Sequence, residues 1–203
     1  YITKWYGITT RPHFGEVFAS ARNGSNEVLP NLEKIIKDGL YPSIVRATAV
    51  SLLANYPTDA AYDLVDFALS ENDPLIRYHG VSVSNYPDPN VSVKKLIPLL
   101  SDPIRSIRME AAFKLTAVDS SLIPQSKKLV LKEAIAEYED AMKFSSDFSA
   151  SRHNLGILYS NLGKIKEAKN QYSESLKIDS LFFPSKVNLS VILNQLGEND
   201  SSE

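Results

Sequence analysis

The chain has 203 residues, 43% of them hydrophobic and 23% charged, which is too apolar for disorder and long enough for one or two domains. Net charge is −2, split evenly (12 Lys/Arg against 13 Asp/Glu in residues 1–124, 10 against 11 in 125–203), so no basic half exists to neutralise phosphates and nucleic acid is disfavoured as a partner. Zero cysteines exclude disulfides, thiolate metal sites and covalent haem attachment within this stretch, and no apolar run of about 18 residues offers a membrane span.

The chain opens at Tyr1 with neither initiator Met nor signal peptide, as expected of an excised segment or a processed chain. Residues 1–15 read as an N-terminal cap. Trp5-Tyr6-Gly7 suggests a helix end stopped at glycine, and Arg11-Pro12-His13-Phe14-Gly15-Glu16 a tight loop leading into the first repeat helix. From Glu16 helical periodicity dominates, in stripes such as Val28, Leu32, Ile35, Ile36 and Ile44, Ala47, Val50, Ala54. Helices are predicted near 15–23, 27–38, 42–55, 59–70, 74–85, 91–100 and 103–117. Asn55-Tyr56-Pro57 and Asn85-Tyr86-Pro87 should each end a helix. Asp73-Pro74 and Asp102-Pro103 should each open one, with Asp as cap and Pro at the first helical position.

An apolar-Arg pair recurs at Val45-Arg46, Ile76-Arg77 and Ile107-Arg108, a period of 31. Arg77 follows Glu71 by six residues and Arg108 follows Asp102 by six; Arg46 has Leu40 at that place. The region 16–123 resembles HEAT repeats of the compact kind. That resemblance implies a structural ladder in which Glu71 and Asp102 close inter-helix turns and pair with Arg77, Arg108 or the Arg of a neighbouring repeat. A row of arginines binding an anionic ligand is the weaker alternative.

Beyond Pro124 the period changes to 34. Ala134, Tyr138 and Ala141 return as Ala168, Tyr172 and Ser175, and Asn154-Leu155 and Leu162-Gly163 return as Asn188-Leu189 and Leu196-Gly197. Fixed periods of this size with helical patterning mark an all-α solenoid, here a right-handed superhelix. Region 124–203 resembles tetratricopeptide repeats, with one complete repeat and a last helix over 183–196 expected to leave an apolar face uncovered. Residues 124–144 are expected to form one junction helix shared by both arrays. The tetratricopeptide resemblance implies a groove lined by His153, Asn154, Ile157, Asn161, Asn188 and Val191, binding a protein or peptide. Ala150 and Pro184 stand where lysines would complete a carboxylate clamp.

Little in the chain could carry catalysis. His13, His79 and His153 lie far apart, none has a partner at metal-ligand spacing, and no phosphate loop or nucleophile elbow occurs. The expectation is a non-enzymatic interaction scaffold without a cofactor of its own. The Trp-Tyr-Gly segment, the Arg-Pro-His-Phe-Gly-Glu segment and the two repeat types together also resemble the C-terminal portion of bacterial multihaem c-type cytochrome proteins. This implies an exported, periplasmic electron-transfer parent with c-type haem upstream, makes the parent's own haem domain one candidate partner for the groove, and places His13 near a haem. The 31-residue period is similar to that of bilin lyases as well, a third and weaker possibility.

Overall fold

In the computed structural model, residues 13–198 are described, and every regular element among them is helical. The chain divides into two compact units, one up to Lys95 and one from Leu96. The Trp5-Tyr6-Gly7 and Arg11-Pro12 parts of the expected cap lie outside the described residues, as does the tail after Glu198.

The first unit contains α1 (Phe14–Arg22), α2 (Leu29–Lys37), α3 (Ser43–Leu52), α4 (Asp59–Leu69), α5 (Pro74–Val83) and α6 (Pro89–Leu96). Its core comes from the apolar stripes: Leu32, Ile36, Ala47, Val50, Ala68, Ile76 and Val81 are fully buried. Thr58 caps α4 by accepting from the Ala61 N–H, and Asp73 caps α5 by accepting from the Leu75 N–H at 2.8 Å, with Pro74 at the first helical position. The Asn-Tyr-Pro segments end α3 and α5 as the pre-proline restriction requires, α3 through a 3₁₀ turn at Leu53–Asn55. Their tyrosines then serve as pins. The Tyr56 hydroxyl donates to the Ala21 carbonyl at 3.0 Å, and that of Tyr86 donates to the Asp66 carboxylate, which Lys95 also contacts.

The second unit begins with a 3₁₀ turn at Ile97–Ser101 and continues with α7 (Arg105–Leu115), α8 (Lys128–Phe144), α9 (Ser149–Asn161), α10 (Ile165–Ile178) and α11 (Phe183–Leu196). α8 packs against both α7 and α9, and the hairpin of α9 and α10 has the most extensive contact. Two predicted helix starts differ. Asp102 does not place Pro103 in a helix: its carboxylate accepts from the Ile104 N–H at 2.9 Å, Ile104 is extended, and α7 starts at Arg105. Pro124 likewise precedes a 3₁₀ turn, Gln125–Lys127, so the regular junction helix starts at Lys128.

The six-residue spacing has a physical cause in the backbone. Nη1 of Arg77 donates to the carbonyls of Glu71 and Asn72, and Nη1 of Arg108 donates to those of Asp102 and Pro103. In the 34-residue region, Arg152 repeats the device: its Nε donates to the Ser146 carbonyl six residues back. Each guanidinium thus satisfies carbonyls that a turn leaves without a helical partner. Further guanidinium donors take side-chain oxygens from farther along the chain, Arg152 that of the Gln171 amide at 3.1 Å. Arg46 pairs with Glu71 at 2.9 Å and Arg108 with both oxygens of Glu137 at 2.9 Å.

Arg46 has the most enclosed of these guanidinium sites, with its Nε also donating to the Ile36 carbonyl at 2.8 Å. Arg46→Ala removes both interactions and strands a largely buried carboxylate and carbonyl, with an expected loss of roughly 2–3 kcal/mol. Lys37→Ala breaks an exposed pair with Glu33 and a contact of the ammonium with the Phe67 ring at 5.8 Å, and should cost under about 1 kcal/mol. Urea denaturation of the two variants checks the ranking; equal losses would contradict it.

Candidate functional site

The hairpin of α9 and α10 is built by one small-to-large exchange. Gly156 on α9 faces the Tyr172 ring on α10, and a Cβ added there would stand 2.6 Å from Cδ1 and 2.8 Å from Cζ of that ring. No real contact is that short, so glycine is what lets the helices approach. Around this point Leu155, Leu158, Ala168, Tyr172 and Ile192 form a buried cluster with Tyr138, whose ring stacks on Phe113 at 4.6 Å. Gly163 sits at φ 72°, and the Lys164 N–H reaches the Tyr159 carbonyl at 2.8 Å, the double-bonded turn that reverses the chain into α10. Gly197 ends α11 in the same left-handed conformation.

Between α9 and α11 lies an open recess of about 260 Å³ lined by Ile157, Asn161, Asn188 and Val191, four of the six residues expected in a groove. Ser160, Tyr172, Ile192 and Gln195 complete its wall. Ile192 and Gln195 were not anticipated, although their spacing from Asn188 and Val191 (positions 188, 191, 192 and 195) is the helical repeat that would have found them. The amide nitrogen of Asn161 donates to the Thr116 hydroxyl at 3.0 Å and that of Asn188 to the Tyr172 hydroxyl at 3.3 Å. Both bonds use the amide nitrogen, so neither engages the carbamoyl oxygen.

His153 and Asn154 are placed differently. The His153 ring lies half-buried beside Tyr172 and Phe182, with Nδ1 3.0 Å from the Ser185 hydroxyl. Asn154 turns its amide to the Met142 sulfur at 3.7 Å. His13 caps α1, its Nδ1 accepting from the Gly15 N–H at 3.1 Å while its ring packs at a 33° tilt against Phe14. Burial holds the imidazoles of both His79 and His153 below the ordinary value of 6.5. On the opposite side of the hairpin, the Tyr159 hydroxyl donates to Glu139 at 2.8 Å, and burial with that acceptor pushes its pKa up to about 12. Lys143 bonds the same carboxylate and holds it below the usual range.

Among the described residues, no group of three His, Cys, Asp or Glu side chains is placed to hold a metal ion, and no helix is long and apolar enough to cross a membrane. Residues 149–180, which comprise α9 and α10, match the tetratricopeptide repeat family. No curated protein and no solved structure matches the chain. The chain is therefore a helical-repeat protein that contains a tetratricopeptide hairpin, a module that generally binds proteins or peptides.

Gly156→Ala forces a methyl group into the Tyr172 ring and should destabilise the second unit by roughly 1–3 kcal/mol, the usual cost of overpacking. Chemical denaturation followed by tyrosine fluorescence checks this; an unchanged midpoint would mean the helices separate without cost.

His153 makes stability depend on pH. Its folded pKa lies below its unfolded one, so its contribution is complete above the unfolded value and is lost as pH falls through the folded value. The His153 imidazole should titrate below 6.5 by NMR, and His153→Gln should flatten the acid side of the stability curve. A midpoint at 6.5 would remove this dependence, and one above it would reverse the sign.

Proposed function

We propose that this chain is a non-catalytic interaction scaffold whose tetratricopeptide hairpin and following helix bind an extended peptide segment. The observation that carries this reading is the family match at residues 149–180, with the recess bordered by Ile157, Asn161, Asn188 and Val191 on α9 and α11. The recess offers apolar side chains beside amide oxygens, which suits a backbone N–H and a small apolar side chain of an extended ligand. Selection from a phage-displayed library of random 16-residue peptides against the full chain tests this. Selected peptides should lose at least tenfold in affinity when the bait carries Asn188→Ala with Val191→Asp, both partly exposed positions. Peptides indifferent to that pair would remove the recess from the reading, and a point-mutable enzymatic activity would remove the scaffold.

A narrower reading makes the chain the accessory region of an exported, periplasmic multihaem electron-transfer protein. It rests on the resemblance of residues 5–16 and the repeat order, and places the haem in the parent. The gene sequence upstream of Tyr1 decides it: several Cys-x-x-Cys-His motifs support it, and none there ends it.

A further inference from the structure

A second surface of the hairpin unit has a composition of its own, although two of its apolar residues, Ile123 and Ile135, also take part in the core packing. Where the connection 116–124 passes beside the first half of α8 and the end of α9, it leaves an open groove of about 610 Å³, continuous in its lining with a neighbouring hollow of about 480 Å³. Both hollows share Ile123, Leu131, Ile135 and Leu162 as an apolar floor. Leu131 and Ile135 stand one helical turn apart on α8, and Lys128 and Lys132 form a parallel ridge one turn apart beside them. Lys164, just past the Gly163 turn, adds a third ammonium, with its Nζ 5.6 Å from the Tyr159 ring centre.

Two acids also border the groove, and each is committed within the protein. Glu139 accepts from Lys143 and Tyr159, while Asp119 accepts from the Ser121 N–H at 2.8 Å as the cap of the next turn. Lys128 and Lys132 are exposed and in no ion pair among the described residues. Like charges one turn apart on a helix repel, so the ridge costs stability unless an anion lies across it. An apolar floor flanked by a row of ammonium groups is complementary to a chain that alternates apolar and acidic side chains.

We infer that this groove is a docking site for an acidic amphipathic peptide segment, with apolar side chains on Ile123, Leu131, Ile135 and Leu162 and carboxylates on Lys128, Lys132 and Lys164. A small anion alone would leave the apolar floor uncovered, and a neutral apolar peptide would leave the ridge unmatched. The groove and its hollow meet the recess between α9 and α11 only at Asn161, and none of the groove's lysines or apolar floor residues lines the recess, so the two proposals are tested by different substitutions.

The same 16-residue library, selected against the full chain, tests the inference. A class of peptides with excess Asp/Glu interleaved with Leu, Ile or Phe is expected. Their affinity should fall at least tenfold on Lys128→Glu/Lys132→Glu/Lys164→Glu and weaken several-fold between 50 and 200 mM salt. It should be unchanged by Asn188→Ala/Val191→Asp. A circular dichroism melt of the triple variant, whose positions are all exposed, verifies that it is folded. The inference is overturned if no acidic class is enriched, if acidic peptides bind the triple variant as tightly, or if every selected peptide follows the recess variant alone. Binding to anionic phosphatidylserine vesicles without acidic-peptide enrichment would also overturn it.

Discussion

The structure depends on how its turns dispose of carbonyl groups. A hairpin of short helices exposes several acceptors at every reversal, and in a chain made almost entirely of such reversals these acceptors are the recurrent threat to stability. Arg77, Arg108 and Arg152 answer it in one way, each reaching six residues back to bond a turn carbonyl from the following helix. A guanidinium suits the task because its planar fork leaves further donors to engage Glu137 from Arg108 or Gln171 from Arg152. One side chain thereby closes a turn and ties it to a neighbouring helix. That the same device occurs in both repeat periods makes it a property of stacked hairpins rather than of either repeat type.

Much of this was legible in the sequence. The 31-residue arginine period, the 34-residue small-to-large pattern at Ala168, Tyr172 and Ser175, and the left-handed glycines at 163 and 197 all depend on local geometry that spacing reports directly. The six-residue acid–Arg spacing was legible as a relation, but it concerns the carbonyl of the acidic residue; its carboxylate can serve a different arginine, as Glu71 serves Arg46. Helix starts at Asp102 and Pro124 were misplaced because Asp followed by Pro, or Pro alone, is compatible with both a helix cap and an extended lead-in. Side-chain bonds to Ile104 and the 3₁₀ turn at Gln125–Lys127 decide between them.

The candidate sites show the same division. Ile157, Asn161, Asn188 and Val191 meet because repeat equivalence puts them on facing helices, which sequence can reveal. His153 occupies an equivalent register but turns towards Ser185, a choice made by the aromatic neighbours Tyr172 and Phe182. The lysine-edged groove was invisible because its floor is completed by Ile123, in an irregular connection whose path no periodicity encodes. Surface charge on α8 looks like ordinary solvation until the apolar ridge beside it is seen to remain open.

The Ser185 contact has a directional consequence. Ser175 donates its hydroxyl proton to the Ser149 carbonyl at 2.9 Å, an acceptor with no proton to return. Ser185 donates to Ser175 at 2.7 Å, which uses its only proton. The Ser185 oxygen can then only accept from His153, so the neutral imidazole carries its hydrogen on Nδ1 and keeps a lone pair on Nε2. The polarity of a three-helix seam is thus dictated from one backbone oxygen, link by link. Ala141, the counterpart of Ser175 one repeat earlier, has no hydroxyl with which to start such a series. The two hairpin seams therefore differ: the earlier one is bonded through Tyr159–Glu139 and Ser145–Ser151, while only the later one runs as a series ordered from Ser175.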